Sequence, residues 1–185
     1  MSSVVISGDT SGAITLAAPA VSGTNTATLP AATGTVMVSG NQPAFFAYPS
    51  ASSTNISSST WTKVTLDTEV FDTNNNFASS RFTPTVAGYY QITFQAYCAS
   101  SNNNAYWQWS SIYKNGTSYT ANTNVNNAAL LQSFCWNSSP IIYMNGSTDY
   151  LEFYVNIYVA TGTPNYYGGS GAISTFATGC LVRTA

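Results

Sequence analysis

The sequence predicts an all-β protein, a two-sheet sandwich head preceded by a short β-rich arm. Three observations carry this. Several stretches alternate apolar and polar residues with a period of two, as half-buried strands do. No segment sustains a 3.6-residue apolar period for three turns. Charged residues make up 5% of the 185-residue chain, against roughly 25% in an ordinary soluble domain, while 44% are hydrophobic. The length suits one compact head with a small appendage. Its polar surface must be built from Ser, Thr, Asn and backbone groups, which tolerates salt and pH and suits contact with sugars or further copies of the chain.

Residues 1–41 form the arm. Through residue 40 it has no aromatic side chain and one charge, Asp9. Gly12, Gly23 and Gly34 recur at an 11-residue spacing, and each precedes a short β-prone run, at 13–16, 26–30 and 35–38. Pro19 and Pro30 punctuate the runs. Three strands this short cannot bury a core. The arm is therefore expected to pack on copies of itself or to dock on another protein. Val4, Ile6, Ile14, Leu16, Leu29, Val36 and Val38 are its anchoring side chains.

Residues 42–185 form the head. The run 63–70 alternates, which predicts Val64, Leu66 and Val70 on one face. In the run 89–98, Tyr90, Ile92, Phe94, Ala96 and Cys98 are expected to point inward. The run 150–159 gives the clearest alternation: Leu151, Phe153, Val155, Ile157 and Val159 fill one face, and Tyr150, Glu152, Tyr154, Asn156 and Tyr158 the other. The last strand is expected near 174–182. Two opposed sheets bury such single faces economically. Tyr150, Tyr154 and Tyr158 then need a cover, and tyrosine, with a large ring and a wet hydroxyl, suits a subunit interface. A homotrimer would supply it.

Several function classes are disfavoured. The basic residues Lys63, Arg81, Lys114 and Arg183 are scattered, so no nucleic-acid partner is expected. No run approaches 18 apolar residues, so no membrane span is expected. The opening residues show neither a basic region nor an apolar core of a signal peptide, which predicts synthesis in a host cytoplasm. With no His in the chain, Ser-His-Asp and Cys-His nucleophile arrangements cannot be built, and no enzyme activity is expected. Cys98, Cys135 and Cys180 read as free buried thiols. Asp67, Glu69 and Asp72 cluster in sequence, but lack a calcium-loop pattern. They read as solvated edge charges, and neither metal nor cofactor is expected. Asp149 and Glu152 are an odd number of residues apart, a poor acid–base pair.

The motifs of residues 43–185 resemble the jelly-roll head of the complement globular-head and tumour necrosis factor family. They are Pro43-Ala44-Phe45-Phe46-Ala47-Tyr48 at the first strand, Phe82-Thr83-Pro84-Thr85-Val86-Ala87-Gly88-Tyr89-Tyr90 at the Pro-x-x-x-Gly turn, Lys114-Asn115-Gly116 at a hairpin, Asn145-Gly146-Ser147-Thr148-Asp149 at the penultimate turn, and Thr175-Phe176-Ala177-Thr178-Gly179-Cys180-Leu181 at the closing strand. The resemblance implies a ten-strand jelly roll and a tight homotrimer. The arm, from Ser7 to Pro30, is similar to segments of tailed-phage fibre and decoration proteins. This implies a virion-surface protein whose arm holds the major capsid protein or another virion protein, a capsid decoration (cement or head-fibre) role. A tail-fibre tip and a secreted complement-like ligand are the alternatives.

Antiparallel counting back from the final strand puts three loops, 100–104, 121–127 and 162–170, at the end of the head far from the arm. Asn102, Asn103, Asn104, Asn122, Asn124, Asn126, Tyr166 and Tyr167 lie there. Amides donate and accept, and tyrosine rings stack on sugars, so this tip is a candidate cell-surface glycan site. The plainer reading makes the asparagines turn formers and the tyrosines a seal on a trimer axis. Trp107 and Trp109 share a strand face and could form a stacking platform, although core or interface is the commoner use of such a pair.

Overall fold

The computed structural model describes residues 3–21, 23–28, 31, 36–38, 40, 42–100, 105–125 and 133–185. The chain divides into two compact units, Met1–Gly34 and Thr35–Ala185.

In the first unit, β1 (Ser3–Ser7) and β2 (Ala13–Ala17) form an antiparallel hairpin. Its turn closes by the Gly8 N–H donating to the Gly12 carbonyl at 3.0 Å. The run 13–16 is thus a strand as expected, and its partner is the Val-Val-Ile run before it. Described residues of the other two runs, 26–28 and 36–38, are not strand.

The second unit is an all-β sandwich. One sheet has the order β11 (Thr117–Val125), β10 (Ala105–Lys114), β14 (Leu151–Val159), β8 (Arg81–Phe82), β7 (Phe77–Ala78), with β5 (Thr62–Lys63) also on β14. The other runs β4 (Ser53–Asn55), β15 (Pro164–Tyr167), β9 (Gly88–Ser100), β16 (Phe176–Thr184), β3 (Ala44–Tyr48), β6 (Thr68–Asp72), with β12 (Ser133–Ser138) and β13 (Ile141–Met144) end to end along the far edge of β9. The inward sets predicted for β9 and β14 are all buried. Between the sheets Phe45 stacks on Phe77 and Phe82, with ring centroids 4.8 and 4.4 Å away.

The run 63–70 departs from expectation. Val64 and Leu66 are buried, but Val70 is exposed. The chain changes sheets here: β5 pairs with β14, whereas β6 pairs with β3. Val70 is the bulge residue of β6, skipped where the register jumps between Phe46 and Ala47, and a bulge turns a side chain out of its alternation. The crossover is held by Ser80 Oγ, which accepts from the Leu66 N–H at 2.8 Å.

Candidate functional site

The anchoring set falls into three groups. Val4 pairs with Leu16 and Ile6 with Ile14, so these four share one face of the hairpin, where directly opposed residues project together. All four are more than half exposed. An isolated two-stranded hairpin is marginal in water. Val36 and Val38 belong to the second unit and are exposed, and Met37 between them packs against the head's core. Leu29 lies outside the described residues.

The strand registers bring the flanks of the three tip loops to one end. Ala105 opposes Val159, Trp107 opposes Val125, and Pro164 opposes Ser100. Asn102, Asn103, Asn104 and Asn126 lie outside the described residues. Asn122 and Asn124 are on β11, not in a loop, because the β10 ladder continues to Val125. The Asn122 amide lies 3.0 Å from the Trp136 indole N–H, which its oxygen accepts once the amide is turned to face it, so that amide serves the protein. Tyr166 must be corrected. It lies on β15, is 1% exposed, and its hydroxyl accepts from the Thr65 N–H at 3.1 Å. A ring with no open face cannot stack on a sugar, and the proline that starts β15 had read as loop. Tyr167 points the other way, 5.4 Å from the Tyr97 ring. Together they line a cleft of about 590 Å³ with Ser50, Ser52 and residues 168–172.

Tyr150, Tyr154 and Tyr158 sit on the outward side of the β10–β14 sheet, each engaged within the chain. Arg81 lies over the Tyr150 ring at 3.9 Å. Tyr154 stacks on Tyr113 at 4.1 Å. Tyr158 is flanked by Tyr106 at 5.3 Å and Trp107 at 5.7 Å. Among them Glu152, only 5% exposed, accepts from Lys63 Nζ at 2.8 Å and from Arg81 Nε and Nη2 at 3.0 and 2.8 Å.

The acids cap and pair rather than gather. Asp67 accepts from Ser50 N and Oγ, and these bonds hold its carboxyl below the usual range. Asp72 accepts from the Phe77 N–H. For Asp149 and Glu152 burial opposes the charge. The bonds to Asn115 and Lys114 in the first case, and to Lys63 and Arg81 in the second, outweigh it and keep both pKa values low. A carboxyl depressed on folding stabilises above its unfolded pKa, and that stability is lost as pH falls through the folded pKa. With no His, the melting temperature is expected to stay flat from about pH 5 to 8 and to drop below about pH 4. Glu152→Gln should lower stability by about 1–3 kcal/mol at neutral pH and shrink the acid-side drop, both readable by calorimetry across pH.

All three cysteines are free, but Cys135 and Cys180 are exposed and only Cys98 is buried. Their strands have one wet face, and odd or even position decided which thiol met it.

Two features were not assembled from the sequence. One is the outward face of the β9 sheet. Tyr89 and Tyr143 (5.4 Å apart), Phe46 and Phe176 (5.1 Å) and Ile141, 56% exposed, lie on it. Arg183 is the only charged residue in β3, β9, β12, β13 and β16, and the edge strand β6 adds Glu69 and Asp72. The period-two signal of β9 places Gln91, Thr93 and Gln95 on its outward side, opposite the buried set. The other is a cleft of about 440 Å³ on the opposite sheet, lined by Trp61, Trp107, Trp109 and Asn156. The Trp107 and Trp109 pair was legible; Trp61, some 46 residues earlier, arrives only through the pairing of β5 with β14.

The fold is a jelly-roll sandwich. It is similar to the globular domain of zebrafish complement 1qA protein (14% identity, TM-score 0.54, over 77% of this chain and 99% of that one). It is similar also to the Eiger TNF of S. frugiperda (9%, 0.56, 78% and 93%) and to murine APRIL (9%, 0.50, 76% and 99%). The resemblance of residues 43–185 to complement and tumour necrosis factor heads thus holds in three dimensions, at identities that establish the fold alone. No protein-family model and no curated protein matches the chain.

Proposed function

We propose that the protein is a homotrimeric, non-catalytic binding head on a virion surface, held by its N-terminal hairpin as a capsid decoration protein and projecting to meet glycans. The observation that carries this is the outward face of the β9 sheet. Surfaces that stay wet are rich in charge, whereas the cores of subunit interfaces are depleted of charge and enriched in aromatic rings. This face has that composition, and the opposite sheet, with Lys63, Arg81 and Glu152 on it, does not. The trimer contact therefore falls on the β9 face rather than on Tyr150, Tyr154 and Tyr158.

The arm supports the virion role. Val4, Ile6, Ile14 and Leu16 form an apolar stripe that a hairpin cannot bury alone, and its open edges suit strand addition to a capsid sheet. Three arms on one trimer gain avidity from modest single contacts.

Light scattering on the purified protein should return three times the chain mass of 19.6 kDa; a monomer at micromolar concentration would refute the assembly. The arm is tested on undecorated capsids with the intact protein and a form lacking residues 1–34, which spares Met37. The intact form should bind in many copies per particle and the truncated form should not. Binding of a few copies at the tail would reassign the protein to a fibre tip.

A further inference from the structure

The tryptophan cleft has a built polar floor. Trp109 and Asn156 are direct partners in the β10–β14 ladder. Trp61 and Trp107 stand nearly perpendicular to Trp109 on either side, at 83° and 80°, with centroids 6.3 and 6.5 Å away. Asn156 lines the cleft at 8% exposure, and its Oδ1 has no hydrogen-bond partner among the described residues. A buried amide oxygen without a donor is destabilising, and a turn of the Asn156 amide would present it to the cleft. None of the four lining residues is charged.

We infer that this cleft binds a neutral pyranose unit of a glycan. A pyranose presents C–H groups on its faces and hydroxyls around its rim. The indole faces receive the first, as aromatic rings receive any slightly positive edge, and a rim hydroxyl can bond the Asn156 amide that lines the cleft. The volume of about 440 Å³ lies within the range of small-ligand sites. A phosphate or carboxylate-bearing sugar would find no cation here, because Lys63 and Arg81 are committed to Glu152. The site lies on the sheet that the proposed trimer leaves open. This inference rests on the reading of the head as a binding module and gives it a location, on the flank rather than at the tip.

The test is titration of the intact protein with methyl glycosides of glucose, galactose, mannose and N-acetylglucosamine, read by intrinsic fluorescence and backed by a glycan array. Three of the four tryptophans line the cleft, so binding should give a saturable spectral change with at least one sugar. Trp109→Ala and Asn156→Ala should each weaken it tenfold or more, Trp109→Phe should restore part of it, and Tyr167→Ala should leave it unchanged. Melting curves and trimer mass, measured on every variant, separate lost binding from lost fold. The inference is overturned if no sugar titrates and no neutral glycan on the array binds, or if the cleft variants bind as the parent does. It is also overturned if Tyr167→Ala alone abolishes binding, which would return the site to the tip. Failure here with an intact trimer bound to capsids would leave the trimeric decoration role standing without its glycan contact, whereas a monomer that still binds sugar would keep the cleft and overturn the trimer.

Discussion

Phe45→Ala is expected to cost the head about 3–5 kcal/mol, a large part of the stability of a domain this size. The side chain is fully buried and stacks on Phe77 and Phe82, with Phe153 at 6.4 Å. Its removal deletes ring–ring contacts with three strands of the opposite sheet, β7, β8 and β14, at once. The backbone around it belongs to β3, held between β16 and β6, so the hole cannot close by a small shift. Chemical denaturation should show the midpoint falling with the slope unchanged. A loss below about 1 kcal/mol would mean that the rings repack, and that this cluster is not the centre of the core.

Thr93→Arg should convert the proposed trimer to monomer. Thr93 lies mid-strand on the outward side of β9, opposite Thr178 of β16, and its hydroxyl shares a 2.7 Å hydrogen bond with Ser139. Three guanidiniums placed in an interface without an acid to meet them would each face a desolvation penalty of several kcal/mol. The matched control is Thr123→Arg, an exposed position on β11 of the other sheet, which should leave the mass unchanged. Sedimentation of the two variants decides the matter. A trimer in both would move the contact away from the β9 face, and loss in both would point to general destabilisation.

The inward sets of β9 and β14 were legible because burial on one face imposes a period of two that nothing else produces, and the β9 register then carried β16, β12 and β13 with it. The turns were legible for a local reason. The Asn145 Oδ1 accepts the N–H groups of Ser147, Thr148 and Asp149, and Gly146 takes a φ of +72° where a β-carbon would run into the Val86–Ala87 backbone, so no other residue fits. That contact joins the Asn-Gly turn to the Pro-x-x-x-Gly turn. Both were visible as motifs, and their adjacency was not.

What the sequence by itself determined is the fold class, the two best strand faces, and a chain without histidine. These follow from local periodicity and composition, which act within a few residues. Tertiary structure alone decided that Tyr166 is core while Tyr167 is surface, that Val70 escapes its alternation, and that Trp61 joins Trp107 and Trp109 above Asn156. Each depends on which distant strand supplies the neighbouring backbone. A side chain's face is set locally, but what it meets across that face is set by hydrogen-bonded partners a hundred residues away.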